Sequence, residues 1–186
     1  FWIKTTATGY DSVWQAPAIT GVEQSGGADD IFWGWIDSQG RIGLTKGDYS
    51  SAVVNTKSSV AINNGQFRHV VLTRNANTGA FQIFIDGVLN RSGSYSAMQG
   101  VVSNQFNDIG RVRHTNGSNF NYLTATLDEV QVYSSVISTQ EVQRLYNLQR
   151  EKRNLSGEVR QCPQLPVQCL NDSFTGALSD RWITAR

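Results

Sequence analysis

The sequence predicts an all-β fold: two antiparallel sheets stacked as a sandwich, with one short helix near the C-terminal end of the domain. Three observations predict it. Short runs of Val, Ile, Phe, Trp and Thr recur along the chain, divided by clusters of Gly, Asn, Asp and Ser. Two of the dividers read as specific hairpin turns. One stretch, after residue 137, carries apolar residues at helical spacing.

Taken in order, the expected strands are FWIKT (1–5), PAITGVE (17–23), DIFWGWID (30–37), RIGLTKG (41–47), AVVNTK (52–57), RHVVLTRN (68–75), AFQIFID (80–86), VLNRSGS (88–94), FNDIGRV (106–112) and ATLDEVQVY (125–133). NANTG joins the sixth to the seventh, and its Gly79 suits a positive φ. Asp86-Gly87 between two apolar runs is a strong two-residue hairpin signal. The helix is expected near 139–149. Ser138 and Glu141 form an S-x-x-E capping box, and Val142, Leu145 and Tyr146 then fall on one face. The expected organisation is a domain over 1–150, a linker over 151–170, and the start of a further module over 171–186.

The 186 residues suffice for one domain with a real core. Charged residues make up 17% and the net charge is +1, so nucleic acid and membrane surfaces are not expected partners. No run of 18 apolar residues occurs, which argues against a helical membrane span. Cys162 and Cys169, in QCPQLPVQCL, are too few for a four-ligand zinc site, and no His is near them. A disulfide between them is expected. It would stabilise the connector by about 2.5 kcal/mol and place the protein outside the cytoplasm: periplasm, cell surface or medium. FWIKTT begins directly on a strand pattern, and LNDSFTGALSDRW reads like the opening strand of another module, so a longer natural protein is expected.

In this order, FWIKTT, NNGQFRHVVLTRN, TGAFQIFIDGVLN, NDIGR and TLDEVQVYSSVISTQEVQRLY resemble the ordered motifs of the laminin-G-like, concanavalin A-like jelly-roll family. The departures are Phe67 where Trp is usual and Arg68-His69 in place of His-His. The resemblance covers about residues 1–148. It implies a jelly-roll sandwich, with one or two further strands before FWIKT. More distantly, ITGVEQSGGADDIFWGWIDSQGRIGL and the Cys/Pro connector resemble modules of bacterial surface proteins associated with pilus biogenesis of the mannose-sensitive haemagglutinin type.

The adjacent acids Asp128 and Glu129 raise the question of catalysis. On a strand, successive side chains point to opposite faces, so the two carboxylates would not meet across a glycosidic bond. The alternating acid pattern of jelly-roll glycosidases is missing, and no enzyme is expected. The resemblance makes Asp-Glu a scaffold signature, with Asp128 as a calcium ligand the alternative. Asp29 and Asp30 follow a Gly-rich turn where the related pentraxins place calcium-binding residues. A single calcium ion held by Asp29, Asp30, Asn side chains and carbonyls is one reading, and a solvated turn is the plainer one. The later loop, VRHTNGSNFNY, offers Asn116, Asn119 and Asn121 but no carboxylate. Arg113, His114 and Tyr122 lie in or beside it, and they join Trp14, Asp29, Asp30, Asn116 and Asn119 as candidate ligand contacts. Trp33 and Trp35, two apart, are expected to share a face, either filling the core or forming a sugar platform. His69 is expected to be semi-buried and structural.

The function these readings imply is an extracellular, non-catalytic module that binds carbohydrate or a protein surface within a larger adhesin-like or pilus-associated protein. A structural spacer without a ligand is the alternative, and a glycoside-cleaving domain the more remote one.

Overall fold

Among the described residues, ten strands form two five-stranded sheets. They are β1 (Trp2–Lys4), β2 (Thr20–Glu23), β3 (Ile31–Ile36), β4 (Arg41–Lys46), β5 (Lys57–Ala61), β6 (Arg68–Arg74), β7 (Ala80–Ile85), β8 (Val88–Ser94), β9 (Arg113–His114) and β10 (Thr126–Asp128), followed by helix α1 (Thr139–Asn154). The computed structural model describes residues 1–24, 27, 30–47, 56–102, 106–115, 117 and 122–154, with no side chains for 152–154. Cys162, Cys169 and their expected disulfide lie outside the described residues, as do Asp29, Asn116 and Asn119. Phe1–Arg150 forms one compact unit and Glu151–Arg186 a second.

One sheet has the order β10-β1-β6-β7-β8 and the other β5-β4-β3-β2-β9. All described pairings are antiparallel except β2 with β9, which run parallel. The β7–β8 hairpin turns on Asp86 (φ 51°) and Gly87 (φ 78°), both left-handed as a two-residue primed turn demands. Aspartate tolerates that conformation here because its carboxylate is held. Its Oδ1 accepts the His69 N–H at 2.9 Å, and its Oδ2 is ion-paired with Arg68, 2.7 Å from Nε.

Two expected strands are corrected, and a third falls mostly outside the described residues. The strand expected at 106–112 lies instead at Arg113–His114. Gly110 at φ 89° breaks the extended path, and its N–H is drawn to the Ile19 carbonyl at 2.7 Å. The strand expected at 125–133 stops at Asp128. Glu129 turns left-handed at φ 51°, and its N–H bonds the Asp128 Oδ1 at 2.7 Å instead of continuing a ladder. For the strand expected at 52–57, residues 52–55 lie outside the described residues, and β5 runs over KSSVA (57–61). Its buried position is Ser58, while Val60 and Ala61 are exposed, so hydrophobic patterning gave little sign of it.

The inter-sheet core draws Ile3, Val70, Leu72, Phe81, Ile83 and Ile85 from one sheet against Ile31, Ile36, Ile42 and Leu44 from the other. A second cluster takes only Phe32 and Trp35 from the sheets. Val13, Ala16, Ala18 and Val112 complete it, with Trp14 against it, so it covers the far side of the second sheet. Trp33 and Trp35 therefore do not share a face, contrary to the sequence expectation. Gly34 sits at φ 73°, and the β3–β4 register slips between Trp33 and Trp35. This β-bulge inserts one residue and reverses the alternation. Trp33 packs with the inter-sheet core. Trp35 is fully buried on the far side, donating its Nε1–H to Thr45 Oγ1 at 3.1 Å.

Helix α1 lies on the outer face of the first sheet. Ser138 Oγ accepts the Glu141 N–H at 3.2 Å, which is half of the expected capping box. The Glu141 carboxylate turns instead to Arg144, at 2.7 and 2.6 Å. Val142 is buried, and Tyr146 stacks on Trp2 at 5.8 Å between centroids, with His69 5.2 Å from Trp2 and 5.8 Å from Tyr146. Trp2 donates its Nε1–H to the buried Gln149 Oε1 at 2.8 Å. Trp2→Phe is expected to cost about 1–3 kcal/mol in urea unfolding, chiefly through the stranded Gln149 amide. Adding Gln149→Leu is expected to recover much of that loss, since removing both partners of a buried bond is far milder than removing one.

Candidate functional site

The second sheet ends in a rim built by the loops before β3 and around β9. The parallel register sets Val22 opposite Arg113 and Glu23 opposite His114. This brings Asp30 and the segment 106–115 to the same edge strands. His114 is buried, and its Nδ1 lies 2.9 Å from Glu23 Oε2. Asp30 is fully buried as well. Its Oδ1 accepts the Gln24 N–H at 2.6 Å, while its carbonyl accepts the Gly47 N–H at 2.8 Å. Arg113 is half-buried, and Trp14 is half-buried against the far-side cluster.

Tyr122 is 62% exposed and stands beside Arg111, near the start of β2 on the same edge of the second sheet. The Arg111 guanidinium lies 5.8 Å from its ring centroid, and Arg111 Nη1 donates to the Tyr122 hydroxyl at 3.3 Å. Arg111 Nη2 is held in turn by both Asp108 oxygens at 3.2 Å. Asp108 first, and then the tyrosine hydroxyl, push the arginine's already high pKa up, so it stays charged at any ordinary pH. Beside this trio, Ile109 is 66% and Phe106 43% exposed. The backbone beneath is tied at two points: Gly110 N–H to Ile19 O at 2.7 Å, and Leu123 N–H to Gly110 O at 2.8 Å. An amphipathic ring, a charged donor and an apolar shoulder thus sit together where Gly110 is tied to Ile19 and Leu123. Sequence reasoning singled out Tyr122. Arg111 was visible as a neighbour of the loop, but its clamp on Tyr122, and the parts of Asp108, Ile109 and Phe106, needed the fold to bring them together.

Among the described residues, no three His, Cys, Asp or Glu side chains come together to hold an ion. Asp30 has Oδ1 committed to the Gln24 N–H, and Asp128 lies exposed on the other sheet with Oδ1 committed to the Glu129 N–H. These described acids do not by themselves fit the six to eight oxygens that calcium requires.

A separate cavity of about 190 Å3 opens between β6 and the segment 131–137, with Trp33, Phe106 and Leu145 on its walls. Neither Asp128 nor Glu129 lines it.

The model of the concanavalin A-like lectin/glucanases superfamily, in its laminin G form, matches residues 1–143. No curated protein matches the chain. Among solved structures, a crystal structure of an S-layer domain-containing protein (residues 221–444) from Clostridium thermocellum ATCC 27405 is similar at 17% identity, with a TM-score of 0.31. That likeness covers 75% of this chain, which spans 66% of the length of the other. No helix among the described residues is long and apolar enough to cross a membrane. Two stacked, mainly antiparallel sheets and a family match over most of its length place the chain in the concanavalin A-like lectin/glucanases superfamily, as a laminin G-like domain.

Proposed function

We propose that this domain is an extracytoplasmic, non-catalytic binding module that recognises a glycan or protein surface through the rim around Tyr122. The observation that carries the reading is the Tyr122–Arg111–Asp108 clamp beside exposed Ile109 and Phe106. An aromatic ring held rigid by its neighbours loses little entropy on binding, and it offers both an apolar face and a hydroxyl. The superfamily spans lectins and glucanases, and the lectin side fits better. A glycosidase needs two carboxyl groups facing one cleft, about 5–9.5 Å apart. Among the described residues, the cavity lining holds no Asp or Glu, and Asp128 and Glu129 lie outside it. The low charged fraction and the expected Cys162–Cys169 disulfide support a place outside the cytoplasm.

A glycan array, read with calcium and with chelator, and a panel of purified cell-surface proteins test the proposal. The expected result is binding that Tyr122→Ala weakens about tenfold or more, since truncating an aromatic anchor costs ~2 kcal/mol. The melting temperature of that variant should stay near that of the parent. No binding on either panel would favour the spacer reading. A melting midpoint unchanged by millimolar calcium would remove the ion.

A further inference from the structure

The cavity of about 190 Å3 between β6 and the segment 131–137 has two unlike ends. Its outer lip, residues 131–136, is exposed. Its inner wall is buried and comes from both sheets, with Val70 and Leu72 of β6 and Thr20 of β2. Thr20 lies opposite Trp33 in the β2–β3 ladder. Directly opposed residues share a face, so both side chains turn to the space between the sheets. Trp33 lines the cavity too, with Phe106 tilted against it at 6.1 Å between centroids. One polar atom interrupts these aromatic and aliphatic walls. Thr20 is only 9% exposed, and among the described residues its hydroxyl has no hydrogen-bond partner. A buried hydroxyl left unbonded costs stability, and valine would fill the same space without that cost. Two other polar residues of the lining are turned to partners elsewhere. Arg74 donates to the Met98 and Gly100 carbonyls, and Gln149 accepts from the Trp2 indole. With Arg74 engaged and no carboxylate in the lining among the described residues, the cavity suits an uncharged ligand.

We propose that this cavity is a ligand site of its own, for a small uncharged molecule with one aromatic ring and one hydroxyl. The ring sits against Trp33, Phe106 and Leu72, and its hydroxyl bonds the Thr20 Oγ1. Size supports a single ring. An apolar cavity of about 150 Å3 takes benzene, and the larger volume here leaves room for a hydroxyl and a small substituent. A sugar fits poorly, because several of its hydroxyls would lose water against walls that return few bonds. The unbonded Thr20 hydroxyl therefore has a use that its cost to the empty protein does not explain.

The test titrates the 186-residue chain with p-cresol and with toluene, two probes that differ by one hydroxyl, and follows nitrogen–proton NMR shifts. The Trp33 indole N–H and the Thr20 and Leu72 amides should shift saturably. p-Cresol should bind about fivefold tighter than toluene, the return on one net hydrogen bond. A purely apolar cavity would give the opposite order, since toluene leaves water more readily. Thr20→Val should reverse the order and raise the urea midpoint of unfolding. Thr20→Ser, which keeps the hydroxyl, should keep the parent's order. Tighter binding of toluene to the parent would overturn the proposal, as would an unchanged order in Thr20→Val or a lower urea midpoint for that variant. Shifts confined to Tyr122 and Arg111, or no saturable shift with either probe, would overturn it too. None of these readouts needs a glycan or protein ligand at the Tyr122 rim, so the two readings fail separately.

Discussion

Replacing Asp37 with alanine is expected to destabilise the protein by about 3–5 kcal/mol, in the range of a broken buried ion pair. The side chain is fully buried at the end of β3 and makes five short contacts. Its Oδ1 accepts the Gln39 N–H at 2.9 Å and the Arg41 N–H at 2.8 Å. Its Oδ2 meets Arg41 Nε and Nη2, each at 2.7 Å, and Lys57 Nζ at 2.9 Å. Lys57 in turn lies 5.7 Å from the Trp35 ring, so the carboxylate ties the β3–β4 turn to β5 across the far-side cluster. Alanine would leave two partly buried cations without their counterion and two turn amides without an acceptor. Asparagine keeps the volume and one acceptor but not the charge, so Asp37→Asn should fall between the two. Acid should separate them further. Burial by itself would raise the Asp37 pKa. Lys57, the Arg41 amide, the Arg41 guanidinium and the Gln39 amide outweigh it and hold the carboxyl below its usual range. A depressed carboxyl contributes stability that is fully present above its unfolded pKa of about 3.9 and is lost as pH falls through the lower folded value. Urea unfolding at a series of pH values should therefore show the gap between the parent and Asp37→Asn constant near neutrality and closing below pH ~4. Parallel curves down to the acid limit would show that the carboxylate's charge contributes nothing.

Asp37 was legible in the sequence only as the last letter of a strand. Its partners are Gln39 in the turn, Arg41 at the start of β4 and Lys57 at the start of β5, and only the fold brings Lys57 to the carboxylate, so the residue pattern did not mark Asp37 as the hub of a cluster. The hairpin at Asp86-Gly87 was legible because its chemistry is local: two adjacent residues that tolerate positive φ, flanked by apolar runs. Helix α1 was legible for the same reason, through Ser138, Glu141 and the Val142, Leu145, Tyr146 face. What failed was alternation carried across an irregularity. Period-two counting put Trp33 and Trp35 on one face, and one inserted glycine undid it. Counting also carried β10 past Asp128 into Glu129, where a side chain one residue back captures the backbone amide. For the rim, Tyr122 and Arg111 could be found as residue types suited to recognition. Their mutual clamp depends on Gly110 turning the loop back, a tertiary bond to Ile19 that no spacing in the chain announces.

Gly34→Ala is expected to cost about 2–5 kcal/mol and to disturb both clusters at once. Two separate penalties add. A side chain at φ 73° is strained by about 1–2 kcal/mol in any surroundings. Here the new Cβ would also come within 2.4 Å of Ile19 Cγ1, and overpacking of a dense core costs about 1–3 kcal/mol more. Ile19 cannot retreat freely, because its carbonyl holds Gly110 and its N–H bonds the Gly34 carbonyl at 3.3 Å. The comparison that separates the penalties is Gly110→Ala. Gly110 is also left-handed, at φ 89°, yet an added Cβ there meets nothing within 4 Å, so it should show the backbone strain alone. The readout is urea unfolding for stability and Trp fluorescence for placement. Trp35 owes its far-side position, between Thr45 and Gly43, to the bulge. A Cβ at Gly43 would lie 2.5 Å from the indole, so Trp35 has no room to adjust when the bulge shifts. A loosened bulge should therefore red-shift the emission as the buried indole meets water. If Gly34→Ala cost no more than Gly110→Ala and left the emission unchanged, the bulge would be held by the ladder bonds around it, and the fit of glycine against Ile19 would not be what sends the two tryptophans to opposite faces.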